Sequence, residues 1–140
     1  MEIKNEFIYP LKIQIEDTDF TGIVYHSNYL KFMERARSEW LEQLGYGMQW
    51  QREQQIMFVV YSANQAFLKP AYVHDQVEVV SKIIDLRPAS ITFDQHLRPA
   101  NAADKILCKA EIKIACIDNN LRPRPLPEST LLTTIRRLLT

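Results

Sequence analysis

The clearest periodicity in the chain lies between Asn28 and Leu44, where apolar side chains recur every three or four residues. Such spacing places them in one stripe along a helix, with charged and polar side chains over the rest of its surface. Ser27 or Asn28 can cap the start, and Gly45 suits a left-handed C-terminal stop. We therefore predict one long helix over Asn28–Leu44. The stripe consists of Tyr29, Phe32, Met33, Ala36, Trp40, Leu41 and Leu44.

Outside this helix the apolar residues recur every second position, which is typical of β-strands. The pattern is cleanest between Ile106 and Cys116, where we expect even-numbered residues to face a core and odd-numbered ones mostly to face water. An extended segment carrying three prolines follows, and we expect a short helix over Ser129–Leu139 to close the chain. The predicted strands are Phe7–Ile15, Ile56–Phe67, Gln76–Leu86, Ser90–Arg98 and Ile106–Cys116.

The order of these elements is one strand, one long helix and four consecutive strands. Sequential strands joined by short turns favour an antiparallel sheet, and a single amphipathic helix must bury its stripe against that sheet. The sequence shows no internal repeat and no linker. We predict one α+β domain over residues 1–140, with a sheet curled around the helix.

Composition excludes several classes of protein. The 140 residues carry 17 basic and 17 acidic side chains, so no basic face for nucleic acid is expected. Cys108 and Cys116 are predicted to be buried free thiols in a reducing compartment, and no zinc motif is present. His74 and His96 are predicted to be structural. No stretch has membrane-spanning length and residues 1–10 lack a signal-type apolar run, so we expect a cytoplasmic protein. We also expect no cofactor.

The candidate chemistry lies in residues 16–26, between the first strand and the long helix. This loop holds three acids, Gly22, and a tyrosine next to a histidine. Because the loop ends where the helix begins, unpaired backbone N–H groups and the positive end of the helix dipole point towards it. A carbonyl oxygen placed there would be polarised, and a nearby carboxylate could activate water or attack the carbonyl carbon. This combination is suited to acyl transfer without a serine or a metal.

Each of these residues also has a purely structural interpretation. Asp17 and Asp19 could be turn or capping residues, and Gly22 could be an ordinary turn glycine. Tyr25 could belong to the core at the helix entry, and His26 could be a half-buried histidine with its hydrogen bonds satisfied. The residues alone therefore leave both interpretations open.

A longer match favours the catalytic interpretation. The segment from Glu16 to Arg37 has the pattern EDTDxxGIVYHxxYLKFMERAR and resembles hotdog-fold acyl-CoA thioesterases. Specifically, it is similar to the 4-hydroxybenzoyl-CoA thioesterase class and its YbgC-type relatives. Phe67–Ala71 followed by Asp75, and Ala110–Asp118 followed by Pro123, fit the same family.

The resemblance implies a hotdog fold, in which a five-stranded antiparallel sheet wraps around one long helix. It also implies hydrolysis of a coenzyme A thioester to a carboxylic acid and free coenzyme A. Members of the family dimerise by joining two sheets edge to edge, often pair into homotetramers, and have active sites at the dimer interface. A homodimer or homotetramer is therefore expected, with an acyl-CoA or an acyl carrier protein as the binding partner.

The resemblance also implies roles for individual residues. Asp19 matches the family's catalytic aspartate, acting as general base or nucleophile, and His26 matches a functional histidine of the YbgC type. Backbone amides around Tyr25 and His26 would polarise the thioester carbonyl. The residues expected to line the acyl or pantetheine channel are Gly22, Ile23 and Val24.

One position departs from the family pattern, since Ile15 stands where many YbgC-type members have a tyrosine. This difference affects the expected substrate preference or rate rather than the reaction type. Lys69, Arg87 and Arg98 lie near strand ends and could either bind coenzyme A phosphates or act as solvated surface residues.

Two other functions remain open at this stage. A hydratase or dehydratase on the same scaffold is one, although such enzymes place their aspartate and histidine in a different local pattern. A module that binds acyl-CoA or acyl carrier protein without turning it over is the other. The acyl group is not determined by the sequence.

Overall fold

The computed structural model describes residues 4–127 and 130–140. It contains five strands, three α-helices and one turn of 3₁₀ helix over Ile15–Asp17. The strands are β1 (Phe7–Lys12), β2 (Met57–Phe67), β3 (Gln76–Arg87), β4 (Ser90–Pro99) and β5 (Cys108–Ile117). The helices are α1 (Asn28–Gln43), α2 (Met48–Glu53) and α3 (Thr130–Leu138).

The strands form one antiparallel sheet in the order β1-β3-β4-β5-β2, so β1 and β2 are its two edges. Helix α1 packs against β1 and β3, and its apolar stripe joins the inward-facing residues of the strands in one core. Phe32, Met33 and Ala36 are almost completely buried. The antiparallel sheet and the long helix are therefore as predicted, with the helix ending one residue early.

The alternation in β5 is confirmed from Cys108 to Cys116, where every even-numbered residue is buried. The expectation for Ile106 is wrong, because this residue is exposed while Leu107 is buried. Leu107 lies before the strand and accepts backbone hydrogen bonds from Leu68 and Lys69. Alternation does not extend to residues outside the regular ladder. Both cysteines are free, and burial raises the pKa of Cys108 to about 11.

The first strand is shorter than predicted. It ends at Lys12, and Ile15 begins the 3₁₀ turn with 76% of its surface exposed. The Asp17 carboxylate accepts a hydrogen bond from the Gln14 N–H at 2.8 Å and so holds this turn together. The chain thus leaves the sheet three residues before the acidic loop begins.

Two helical predictions differ in detail. Helix α2 was not predicted, because its six residues are too few to show a period. The last helix is described over Thr130–Leu138, with Leu132, Ile135 and Leu138 buried, and Ser129 lies outside the described residues. None of the helices in the described part of the chain is long and apolar enough to cross a membrane.

A polar network lies between α1 and the sheet. Arg37 donates from Nη1 to Oε1 of Gln95 at 2.9 Å. The Gln95 amide nitrogen donates to the Met33 carbonyl at 3.0 Å and to the Ser81 hydroxyl at 2.9 Å. Burial lowers the pKa of Arg37 to about 10, which remains high enough for a charged guanidinium at neutral pH. The network fixes α1 to β3 and β4 in one position.

Candidate active site

The loop between the 3₁₀ turn and α1 folds back on itself as a tight hairpin. Thr18 forms a bridge with Val24, and the Asp19 N–H donates to the Ile23 carbonyl at 2.9 Å. The Gly22 N–H closes the turn by donating to the Asp19 carbonyl at 3.1 Å. Gly22 has φ +82°, a conformation that favours glycine. The turn interpretation of Gly22 is therefore correct, and the turn places Asp19 at its first position.

The Asp19 carboxylate is exposed and ionised. Its Oδ1 accepts hydrogen bonds from the Thr21 hydroxyl and from the Thr21 N–H, the latter at 2.8 Å. These two bonds, the hydroxyl first, lower the pKa of Asp19 below its ordinary value of 3.8. A backbone hydrogen bond from Ile23 makes a smaller contribution to the same lowering of the pKa. Among the described residues, no side chain hydrogen bonds to Oδ2, so this oxygen is accessible to a water molecule or to a carbonyl carbon.

Asp17 connects the loop to the start of α1. Its carbonyl oxygen accepts hydrogen bonds from the Tyr25 N–H at 3.0 Å and from the Asn28 side chain at 2.8 Å. Ser27 occupies the N-cap position, but its side chain makes no capping hydrogen bond. Ser27 is therefore the N-cap residue as predicted, but it makes no side-chain capping hydrogen bond, and the Asn28 side chain is bonded to the loop instead.

The backbone amides just before α1 differ in whether they are bonded. Since the Tyr25 N–H is bonded to Asp17, it has no capacity left for a substrate carbonyl. The N–H groups of His26 and Ser27 have no hydrogen-bond partner in the part of the chain that the structure describes. They lie one and two residues before α1, at the positive end of the helix dipole.

A cavity of 270 Å³ opens beside these amides. Its walls are largely apolar and aromatic, with the His26 ring 6.4 Å from the Phe67 ring and the Tyr29 ring 5.6 Å from Phe67, between centroids. The Tyr29 hydroxyl accepts a hydrogen bond from the Ala71 N–H at 3.3 Å, which orients its ring. The lining residues are Ile23, Val24, His26, Tyr29, Phe67, Leu68, Lys69 and Pro70.

Comparison with known proteins shows which family the chain belongs to. Residues 13–133 match the model of the thioesterase-like superfamily. The chain belongs to this family. The acyl-CoA thioester hydrolase YbgC of Escherichia coli is 35% identical over 124 residues, covering 88% of this chain and 91% of that protein. The acyl-CoA thioesterase YbgC of Haemophilus influenzae is 35% identical over 128 residues, covering 90% and 92%.

Solved structures agree with this result. A probable thioesterase from Bartonella henselae superposes with a TM-score of 0.81 at 30% identity, covering 87% of this chain and 99% of that one. A gentisyl-coenzyme A thioesterase structure gives a TM-score of 0.79 at 25% identity, covering 89% and 98%. The expectations of a hotdog fold and of thioester hydrolysis are therefore confirmed, and the chain is a thioesterase.

Only some of the expected site residues of the thioesterase line the cavity. Ile23, Val24 and His26 line the cavity, whereas Gly22 shapes the hairpin behind it. Tyr25 is half exposed, with its ring 4.4 Å from that of His26. Asp19 is not among the lining residues and lies on the hairpin that leads to the cavity.

Four lining residues were missed by sequence reasoning, namely Tyr29, Phe67, Leu68 and Pro70. Tyr29 was assigned only to the helix stripe, and Phe67 only to the end of a strand. Phe67 leaves half of its surface exposed although it pairs with the buried Cys108, because it is the last residue of the edge strand β2. An apolar residue at the end of a strand gives no signal that distinguishes a cavity wall from a core position.

The three candidate phosphate partners differ in position. Lys69 lines the cavity and is exposed. Arg98 pairs with Glu78 across β3 and β4 at 3.0 Å. Arg87 pairs with Asp85 at 3.1 Å. The strand pairing puts Val79 level with Phe67, and Arg87 lies eight residues further along β3, roughly 26 Å at about 3.3 Å per residue. Of the three, only Lys69 lines the cavity, and a phosphate role for Arg87 or Arg98 stays a prediction.

The remaining histidines lie away from the cavity. His74 has a left-handed backbone with φ +71°, and its N–H donates to the Ile13 carbonyl at 2.8 Å. His96 lies in β4, where burial lowers its pKa. No group of three or more histidine, cysteine, aspartate or glutamate side chains is arranged to hold a metal ion within residues 4–127 and 130–140.

Proposed function

We propose that this thioesterase hydrolyses acyl-CoA to a carboxylic acid and free coenzyme A, with Asp19 as the catalytic carboxylate. The observation that carries the proposal is the combination of an ionised Asp19, one of whose oxygens is free, with the unpartnered amides of His26 and Ser27 on the same loop. An acid that activates a nucleophile and donors that receive an oxyanion are the two parts that acyl transfer needs.

The reaction on this site follows from those parts. The thioester carbonyl oxygen accepts a hydrogen bond from the His26 N–H, which stabilises the oxyanion that forms. As a general base, Asp19 takes a proton from water while the water oxygen attacks the carbonyl carbon. The carbon–sulfur bond then breaks, and the proton passes to the departing thiolate. As a nucleophile, Asp19 attacks the carbonyl carbon, the carbon–sulfur bond breaks and the thiolate departs. The mixed anhydride that remains is hydrolysed by water, so both routes use the same carboxylate.

The cavity lining indicates how the substrate is oriented, with its pantetheine arm in the cavity and its phosphates near Lys69. Ile23 and Val24 offer an apolar channel to the pantetheine arm, and Gly22 allows the hairpin behind them to turn. Lys69 is the cation at the outer end of this channel, where it can attract the phosphates of coenzyme A. This arrangement favours coenzyme A over acyl carrier protein as the thiol carrier.

We propose further that two copies join through β2. This strand is an edge of the sheet over eleven residues, and Val60 and Tyr61 leave 52% and 72% of their surfaces exposed. A long edge with exposed apolar side chains is favourable for pairing with a second strand. Joining two copies there would cover the open side of the cavity next to Phe67. Free buried thiols fit a reducing compartment, so we assign the enzyme to the cytoplasm.

The test measures release of free thiol from short, medium, long and aromatic acyl-CoAs. Asp19→Asn keeps the shape of the side chain and removes its charge, and we expect a loss of at least about a hundredfold in kcat, as for other general bases. Asp17→Asn is the matched control, because the Asp17 side chain holds only the 3₁₀ turn.

Two results would contradict the proposal. If Asp19→Asn retained near-full activity while Asp17→Asn lost it, the catalytic carboxylate would be misassigned. If the unchanged protein bound acyl-CoAs without releasing thiol from any of them, the chain would be a binding module rather than an enzyme.

A further inference from the structure

A second cavity, of 370 Å³, lies between α1, α2 and the first residues of β2. It shares no lining residue with the cavity between Ile23 and Pro70. We call it the Arg37 groove, since Arg37 is the one basic residue that lines it. Its wall is largely apolar and includes Leu41, Met48, Phe58, Val60 and Ile114.

Arg37 borders this groove with part of its guanidinium group unbonded, although only 6% of the residue is exposed. Within the described residues its side chain makes one hydrogen bond, from Nη1 to Gln95 Oε1 at 2.9 Å. The single buried side-chain nitrogen or oxygen without a partner there belongs to Gln65, so Nε and Nη2 of Arg37 are not sealed off and retain accessible surface. Because Arg37 lines the groove, a ligand in the groove can reach these two nitrogens.

The charge of Arg37 is not balanced by an acid in contact with it. Burial lowers the pKa of Arg37 to about 10, and Glu34, one turn earlier on α1, opposes that shift by a smaller amount. The side chain is therefore charged at neutral pH. Among residues 4–127 and 130–140, no acid lies within ion-pair distance of it. A buried charge without a counter-ion is costly, so this arrangement favours an anion from outside the fold.

The two unbonded nitrogens are the pair best suited to a carboxylate. The N–H bonds of Nε and Nη2 run parallel along one edge of the planar guanidinium, and the two oxygens of a carboxylate match their spacing. Nη1 is held on the other side by Gln95, which itself donates to the Ser81 hydroxyl and to the Met33 carbonyl. The chain thus presents the free edge of the guanidinium in a fixed orientation.

The apolar walls restrict which anion fits. Inorganic phosphate would lose its hydration in the groove and meet hydrocarbon side chains such as Phe58 and Val60 over most of its surface. A carboxylate attached to a hydrocarbon chain or ring places its charge on Arg37 and buries its apolar body against these walls. Acids of this kind are the products of thioester hydrolysis, so this choice of ligand rests on the proposed function.

We propose that the Arg37 groove binds free carboxylic acids with an apolar body, the chemical class that the enzyme releases. Nε and Nη2 donate to the two carboxylate oxygens, and the chain or ring lies between α1 and β2. Glu34 also lines the groove and is exposed, so its carboxylate repels the ligand and weakens binding. Because the two cavities share no lining residue, an acid in the groove does not occupy the cavity beside His26.

Isothermal titration calorimetry tests the proposal with acids and with uncharged analogues of the same shape. The probes are hexanoate, octanoate and benzoate, each compared with its primary amide. We expect at least one acid to bind the unchanged protein, with an affinity at least about tenfold above that of its amide. The amide has no negative charge and cannot form the charge-assisted pair with Arg37.

Two variants test the charges that face the ligand. Arg37→Lys keeps the positive charge but removes the parallel pair of donors, and it should weaken binding of the acid by about tenfold or more. Glu34→Gln removes the like charge from the wall and should strengthen binding. Thermal unfolding verifies that both proteins are folded.

Because Arg37 is buried, a second pair of variants tests the groove from an exposed position. Met48 lines the groove and leaves 54% of its surface exposed. Met48→Glu should weaken the acid by about threefold or more through repulsion, whereas Met48→Lys should not weaken it. Gln49→Glu is the matched control, since Gln49 is the next residue of α2, is exposed and does not line the groove. It should leave the affinity unchanged.

Four results would overturn the proposal. The first is equal affinity for each acid and its amide. The second is equal weakening by Met48→Glu and Gln49→Glu, because overall charge would then be responsible. The third is binding that Lys69→Ala abolishes and Arg37→Lys preserves, which would place the acid in the other cavity. The fourth is a folded Arg37→Lys protein that binds acids normally but sediments as a monomer, because the second copy would then fill the groove.

The titrations contain no thioester, so their result does not depend on whether Asp19 is catalytic. A protein that releases no thiol from acyl-CoAs but binds acids through Arg37 would lose the proposed function and keep the groove as a binding site. A protein that releases thiol but binds none of the acids would keep the proposed function and lose this inference.

Discussion

One oxygen of the Asp19 carboxylate accepts two hydrogen bonds from Thr21, one from its backbone N–H at 2.8 Å and one from its hydroxyl. These two hydrogen bonds stabilise the turn, and they also lower the pKa of the candidate catalytic acid, which favours its ionised form. The turn interpretation and the catalytic interpretation of Asp19 are thus compatible, because the turn occupies one oxygen and leaves the other free.

Thr21→Val should shift the pH dependence of the reaction. The hydroxyl of Thr21 is the largest cause of the lowered pKa of Asp19, so its removal raises that pKa towards 3.8. Asp19 acts as a carboxylate, and activity falls where it becomes protonated. The acid limb of the kcat/KM profile should therefore move to higher pH, with the rate near pH 7 preserved. Thr21→Ser retains the hydroxyl and should keep the original profile; an acid limb shared by all three proteins would contradict the assignment.

His26→Ala should reduce kcat/KM only in part, by about tenfold, since the backbone N–H that polarises the carbonyl remains. His26→Pro removes the N–H as well and should cost a further hundredfold or so in kcat, the usual effect of losing one oxyanion donor. Steady-state kinetics measures both, with thermal unfolding to verify that each variant is folded. Equal losses in the two variants would remove the His26 amide from the mechanism.

Lys69→Ala should raise KM for acyl-CoA and leave kcat nearly unchanged, because a phosphate contact binds ground state and transition state alike. The same variant should have no effect on acyl-pantetheine substrates, which lack the nucleotide. Arg87→Ala is the control, since Arg87 is an exposed cation at the end of β3 and is not among the residues that line the cavity. A KM effect of Arg87→Ala as large as that of Lys69→Ala would show that general surface charge is responsible.

Val59→Asp should weaken the dimer that we propose. Val59 is partly exposed on the edge strand β2, where a carboxylate would meet its counterpart in the second copy. Analytical ultracentrifugation should show a shift to monomer, accompanied by loss of activity. Ile84→Asp places the same charge at a similarly exposed position on the interior strand β3 and should leave the dimer intact. A Val59→Asp protein that sediments like the unchanged one would exclude this edge as the interface.

Gln95→Leu should lower the free energy of unfolding by about 2–4 kcal/mol, because it leaves the buried Arg37 guanidinium without its acceptor. Combining it with Arg37→Met should cost less than the sum of the two single changes, since the double variant removes both partners. Urea unfolding measures these values. Gln43→Leu, on the exposed side of α1, should change stability by no more than about 0.5 kcal/mol. Additive effects at Arg37 and Gln95 would show that the two side chains are not coupled.

Local sequence patterns determined the secondary structure of this protein well. A stripe of seven apolar residues predicted α1, and alternation predicted the four later strands, because burial against one face imposes the period of each element. The patterns were less informative where regular structure ends. Nothing local indicated that the chain leaves the sheet at Lys12 or that Leu107 rather than Ile106 is buried, since those positions depend on hydrogen bonds to distant segments.

The site shows the same division. The sequence by itself determined that Asp19, Gly22 and His26 share a short loop before a helix, and a long motif connected that loop with thioesterases. Tertiary structure decided which amides are free, because the Asp17 carbonyl takes the Tyr25 N–H and leaves that of His26. It also brought Phe67 from a strand some forty residues away to the cavity wall, separated Lys69 from Arg87, and placed the buried guanidinium of Arg37 beside a groove between α1, α2 and β2. The spacing of residues along a chain determines which side chains share a loop or one face of a helix or strand. The hydrogen-bond partners of a polar group are instead determined by the segments that pack around it.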